Sequence, residues 1–150
     1  MPVVTLLLLL TTGSAAIAQH GAVQAARAAD TSIADAAQYA EQKQYDKAVE
    51  AYLEAIRLNP TSVVAHLGLG TTYQNMGRPA DAVEPLRTAV RLEPENAVAH
   101  LTLGLALAAL HHADEALAEL TEAKHLWPSR RQTPTTARQR RTHISAWIPC

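Results

Sequence analysis

The chain repeats itself at a fixed interval, and this period limits its fold more than any other feature. Three segments end alike, at Pro60, Pro94 and Pro128, so the interval between the first two prolines equals that between the last two. The pattern Val-Ala-His-Leu-x-Leu-Gly occurs at 64–70 and again, at the same interval, at 98–104. Self-similarity at such a period indicates a repeat architecture, in which each supersecondary unit buries its apolar face against its neighbours.

Each unit predicts a pair of helices joined by a short turn. Only 4% of the residues are aromatic and Phe is absent, so thin packing of one helix on another is favoured. Ser62 and Asn96 are suited to helix N-caps, and Pro79 suits a first helical turn. Pro85 falls inside a predicted helix, where we expect a bend. The predicted helices lie near 29–42, 45–58, 63–76, 79–92, 97–110 and 113–126.

The repeated residues resemble the tetratricopeptide repeat family, whose unit is a 34-residue helix–turn–helix. The middle unit matches the family pattern at Leu69, Gly70, Tyr73, Ala82, Leu86, Ala89 and Pro94. The third unit matches at Leu103, Gly104, Ala116, Leu120, Ala123 and Pro128. The first unit is degenerate, with Asp35 and Ala36 in place of Leu-Gly, and His66 and His100 replace the usual Trp. The resemblance implies an all-α fold of three tandem helix-turn-helix repeats, forming a short right-handed superhelical solenoid.

Composition divides the chain into further segments. We assign the repeats to 29–62, 63–96 and 97–128, and expect 19–28 to be a linker or a short helix. Residues 1–128 hold 8 basic and 14 acidic side chains, whereas 129–150 hold five Arg and no acid. We therefore expect 129–150 to be a basic, disordered tail. The abrupt loss of acids also fits the truncated or frame-shifted end of a longer repeat protein.

The first eighteen residues have the pattern of a secretory signal peptide. An apolar run from Val3 to Leu10 precedes Ala16-Ile17-Ala18, a small-residue cleavage site before Gln19. The leader has no Lys or Arg, which leaves an uncleaved anchor and a mis-assigned start as alternatives. Cleavage predicts a periplasmic or secreted protein with no stable membrane insertion.

The family resemblance implies that the first helices of successive units line a concave groove that takes a protein or peptide. These positions lack the Lys and Arg residues by which some relatives clamp a C-terminal carboxylate, so an apolar peptide or amphipathic helix is the expected partner. Alternatively, the apolar segment 144–148 or a second copy, in a homodimer, covers the same residues. The expected groove residues are Val64, Leu67, Thr71, Gln74, Asn75, Val98, Leu101, Leu105, Ala108 and Ala109.

No sequence pattern indicates catalysis or a cofactor. Gly-x-Ser-x-Gly, His-Glu-x-x-His, Walker and dinucleotide motifs are absent, and the single Cys excludes an internal disulfide. We interpret His66 and His100 as packing residues and expect no metal site, and nucleic acid is an improbable partner for an exported protein. The sequence thus predicts an exported adaptor rather than an enzyme. The alternative is an accessory or truncated fragment of a larger repeat-containing enzyme or assembly factor.

Overall fold

The computed structural model describes residues 3–127, with side chains from residue 21 onward except Ala22. This part of the chain is helical, and its helices are connected by short turns. Residues 1, 2 and 128–150 lie outside the described residues, and with them the expected basic tail. The six helices are α1 (Val3–Glu41), α2 (Tyr45–Leu58), α3 (Val63–Asn75), α4 (Pro79–Leu92), α5 (Ala97–Ala109) and α6 (Ala113–Leu126).

The helices form three antiparallel hairpins stacked in chain order. Helix α1 pairs with α2, α3 with α4 and α5 with α6, while α2–α3 and α4–α5 contacts join successive hairpins. The first helices of neighbouring hairpins also meet, because α3 contacts both α1 and α5. The predicted all-α repeat solenoid is therefore confirmed.

Side-chain caps account for the starts of α3 and α5. The Ser62 hydroxyl accepts a hydrogen bond from the Ala65 amide, and the Asn96 side chain accepts from the amides of Val98 and Ala99. These contacts satisfy amides that have no partner within their own helices. Both predicted N-caps are thus confirmed, and the bounds predicted for α2, α4 and α6 agree with the structure.

The first helix differs from the expectation, whereas the bend expected at Pro85 stays a prediction. Helix α1 begins at Val3 rather than near residue 29, so residues 19–28 continue the first repeat helix. Helix α4 runs without interruption from Pro79 to Leu92 although it contains Pro85. Among the helices of the described residues, none is long and apolar enough to cross a membrane.

The turn inside each hairpin contains one residue with a left-handed backbone. These residues are Lys43, Gly77 and His111, with φ of 59°, 71° and 63°, and they occupy equivalent repeat positions. Each donates its amide to a carbonyl three residues earlier, and the next amide reaches a carbonyl five residues before it. This arrangement satisfies carbonyls left free at a helix C-terminus and usually selects glycine.

Small residues set the distance between paired helices. Alanines at equivalent positions of the second helices, such as Ala48 and Ala82, are fully buried. A Cβ built on Gly70 would lie 2.5 Å from Leu86 Cγ, and one on Gly104 would lie 2.7 Å from Leu120 Cγ. Real Cβ atoms do not approach so closely, so the two glycines allow their hairpins to close. The core consists of two clusters, one formed by α1, α2 and α3 and the other by α4, α5 and α6, and Tyr73 packs against both.

Candidate functional site

The ten groove residues predicted from the sequence all lie on the adjacent helices α3 and α5, and we call them the α3–α5 wall. Four of its large apolar side chains are exposed, although such side chains are favoured in the interior. The wall therefore offers apolar area without requiring the protein to rearrange. These exposed apolar residues are Val64, Val98, Leu101 and Leu105.

Two residues of the wall also hold the repeats together. The Gln74 side-chain amide donates to the Thr102 carbonyl at 2.8 Å, across the α3–α5 contact. Leu67 is partly buried and packs against the core cluster formed by α4, α5 and α6. Leu67 and Gln74 are thus partly engaged by α5, whereas Thr71 and Asn75 are exposed.

The first repeat extends this surface with residues that the sequence reasoning did not select. The positions of α1 that match Val64 and Asn75 are Asp30 and Glu41, one period earlier, and both are exposed. Ile33 and Ala37, which lie between them, are partly buried. The period of the sequence could have identified all of them. The surface thus gains two carboxylates, and neither the wall nor these α1 positions carry a Lys or Arg.

Behind the wall, His100 of α5 is held in a buried polar contact. Its Nδ1 lies 2.7 Å from Glu119 Oε2 of α6, and its Nε2 lies 2.9 Å from the Pro94 carbonyl oxygen. Burial acts to lower the pKa of His100. The bonds to Pro94 and Glu119, with the charges of Glu119 and Glu122, oppose burial and raise the pKa above its ordinary value.

The histidine of the preceding repeat is placed in the same way but has fewer partners. His66 Nε2 lies 3.0 Å from the Pro60 carbonyl oxygen, while its buried Nδ1 has no hydrogen-bond partner among the described residues. Both histidines are buried, as a packing role requires. The ion pair of His100 is an addition that the sequence interpretation missed, because its partner lies on another helix, distant along the chain.

The remaining histidines do not assemble into a cluster of ligands. His111 and His112 lie in the α5–α6 turn, where His112 Nδ1 is 3.5 Å from Glu115. Among the side chains that the structure describes, from residue 21 to residue 127, no three of His, Cys, Asp or Glu come together in a group that could hold a metal ion.

Comparison with known families agrees with this geometry. A family model described as TPR repeat matches residues 37–77, and one described as tetratricopeptide repeat matches residues 67–131. Together they cover residues 37–131, from the last residues of α1 through the second and third hairpins. The chain belongs to the tetratricopeptide repeat family. No match to the chain was found among curated protein sequences.

Solved structures show the same fold at low sequence identity. The first TPR of Spaghetti (RPAP3) bound to HSP90 peptide SRMEEVD is 23% identical, with a TM-score of 0.68 over 71% of this chain and 84% of that one. The Arabidopsis OM64 TPR domain is 24% identical, with a TM-score of 0.68 over 71% and 88% of the two chains. MamA is 24% identical, with a TM-score of 0.64 over 66% of this chain and 58% of its own.

Proposed function

We propose that this protein is an exported adaptor that binds an apolar peptide or one face of an amphipathic helix along the α3–α5 wall. The observation that carries the proposal is the row of exposed Val64, Val98, Leu101 and Leu105 on two adjacent helices. Apolar side chains at successive turns of neighbouring helices suit a ligand that presents its own apolar residues at helical spacing. The proposal assigns the protein no catalytic step.

The charges of the surface narrow the choice of ligand. A related repeat structure contains the acidic peptide SRMEEVD. In this chain Asp30 and Glu41 occupy the α1 positions equivalent to Val64 and Asn75 of the wall, and would repel acidic residues beside them. We therefore propose that the ligand is neutral or basic at its flanks and apolar at its centre.

A charge placed on the wall tests this proposal. Leu105→Glu should abolish capture of a defined partner from an extracytoplasmic extract, because a carboxylate would face the ligand's apolar side. Leu53→Glu is the matched control, since Leu53 is 48% exposed on α2 whereas Leu105 is 52% exposed on α5. Equal capture by the wild type and by Leu105→Glu would show that the α3–α5 wall does not bind the partner.

Export is the second part of the proposal and has a separate test. The apolar run of the leader and its Ala16-Ile17-Ala18 site support cleavage before Gln19. The N-terminus of the mature protein, determined by mass spectrometry after secretion, should be Gln19. A chain that retains Met1 in the cell would contradict export with cleavage.

One observation favours the second candidate, an accessory part of a larger enzyme or assembly factor. Leu117 of α6 is 68% exposed, whereas Val83, the equivalent residue of α4, packs against the core cluster that includes α5. The outer face of the last hairpin is thus a surface that a further helix would cover. Leu117→Glu should disrupt assembly with such a helix, and it should leave capture of a partner by the α3–α5 wall unchanged. Loss of capture in Leu105→Glu alone would favour the adaptor.

A further inference from the structure

One pair of positions recurs in every repeat and is occupied differently each time. The first position lies on the first helix of the hairpin, and the second lies on the second helix, at the same separation along the chain in each repeat. Only the third repeat combines a histidine with a carboxylate at these positions. The pairs are Ser32 with Ala51, His66 with Pro85, and His100 with Glu119.

The geometry around His100 requires a particular protonation state. One ring nitrogen faces the Glu119 carboxylate and the other faces the Pro94 carbonyl, at 2.7 and 2.9 Å. Both partners are hydrogen-bond acceptors, so each contact is satisfied only if the ring nitrogen carries a proton. A neutral imidazole has one N–H, so the lone pair of its other nitrogen would face a lone pair of one of the two acceptor oxygens. With Glu119 ionised, the ring in this arrangement must therefore be the imidazolium.

His66 provides the internal comparison. Its one contact, from Nε2 to the Pro60 carbonyl oxygen, needs a single proton, and its buried Nδ1 has no partner among the described residues. The second repeat has Pro85 where the third has Glu119. The same buried ring therefore faces one acceptor in the second repeat and two acceptors in the third.

We propose that His100 and Glu119 form a proton-dependent latch that fastens α6 to α5. The charged groups acting on the ring are Glu119 and Glu122, both on α6, whereas the turn between α4 and α5 contributes the Pro94 carbonyl. Loss of the proton leaves the Glu119 carboxylate, which is only one-quarter exposed, without its charged donor. The last hairpin then loosens. This latch is independent of whether the α3–α5 wall binds a ligand.

The sign of the pH dependence follows from the direction of the shift. The pKa of His100 is raised in the folded protein above the ordinary value of 6.5. The stabilisation is therefore fully present below the unfolded-state pKa, and it is lost as the pH rises through the folded-state pKa. Lowering the pH from above the folded-state pKa to below the unfolded-state pKa of His100 therefore tightens the last hairpin.

NMR titration of the histidine ring in the full chain tests the protonation state. We expect His100 to titrate above the ordinary range in the wild type, and Glu119→Gln to lower its midpoint. Glu122→Gln removes the same charge from the same helix without breaking the contact, and should lower the midpoint less. A wild-type midpoint at or below the ordinary value, or equal midpoints in both variants, would overturn the latch.

Denaturant unfolding of the same proteins tests whether the pair fastens the fold. For each pH unit by which Glu119→Gln lowers the titration midpoint of His100, the substitution should reduce the folding equilibrium constant. This reduction should be about tenfold greater at acidic than at alkaline pH. A shifted midpoint without this loss would show that the pair does not stabilise the hairpin. Pro85→Glu, compared with Pro85→Ala, should add a second acid-dependent stabilisation by giving His66 a carboxylate partner. Identical pH profiles for these two variants would contradict the role assigned to the pair of positions.

Discussion

The turns inside the three hairpins make a quantitative prediction, because equivalent positions hold a glycine in one repeat and larger residues in the others. Lys43 and His111 adopt φ of 59° and 63°, close to the 71° of Gly77. The left-handed conformation costs a residue with a Cβ roughly 1–2 kcal/mol. Introducing glycine also makes the unfolded chain more flexible, which costs about 0.4–1 kcal/mol. Lys43→Gly and His111→Gly should therefore each stabilise the protein by about 0.5–1 kcal/mol.

The side chains that are removed contribute little to offset this gain. Lys43 and His111 are exposed, and their backbone amides keep their hydrogen bonds to Ala40 and Ala108 in the glycine variants. The reverse change, Gly77→Ala, should destabilise the protein by a similar amount. A Cβ at Gly77 meets nothing within 4 Å, so no steric clash adds to the two backbone contributions.

Thermal unfolding followed by circular dichroism measures these effects. For a repeat array of this size, the melting temperature should rise by about 2–8 °C in each glycine variant and fall similarly in Gly77→Ala. Gln44→Gly is the control, because Gln44 is exposed, lies beside Lys43 and has φ of −87°. If Lys43→Gly and Gln44→Gly change the melting temperature equally, the backbone of the turn does not have the conformation described above.

Three further substitutions have expected effects on the free energy of unfolding, measured by denaturant titration. Pro85→Ala should stabilise α4 by about 1–3 kcal/mol, because it restores a backbone donor within a continuous helix; an unchanged midpoint would mean that α4 already accommodates the ring. Gly70→Ala should destabilise by about 1–3 kcal/mol, since the new methyl group would meet Leu86 at 2.5 Å; wild-type stability would contradict that close approach. Asn96→Ala should cost about 1 kcal/mol through the lost cap of α5, and no loss would show that the cap is dispensable.

The period of the sequence was sufficient to predict the helices. Proline at the end of each unit, with Ser62 and Asn96 as caps, fixed the helix bounds to within a residue at most ends. These signals are local, because a cap or a proline acts on the backbone beside it. The start of α1 was not predicted, since residues 19–28 have no repeat partner and contain neither a proline nor a clear cap.

The backbone of the turns and the contacts between helices were harder to predict. Gly77 signals its turn, but Lys43 and His111 adopt the same backbone conformation without the residue that usually reveals it. The contact between His100 and Glu119 joins two helices, and its spacing in the chain matches no local pattern. For the α3–α5 wall, the repeat register placed every residue on its helix, but the contact of Gln74 with α5 depends on how closely the hairpins stack.

The buried alanines have a consequence for how such a protein can evolve. Ala48 and Ala82 occupy equivalent buried positions on the second helices of their hairpins, with Ala116 as their counterpart in the last hairpin. Because these side chains are of the same small size, buried residues set the spacing of the paired helices separately from the exposed residues. Under the proposed function, substitutions at exposed positions such as Val64 or Leu105 would change the ligand that is bound while leaving this spacing unchanged.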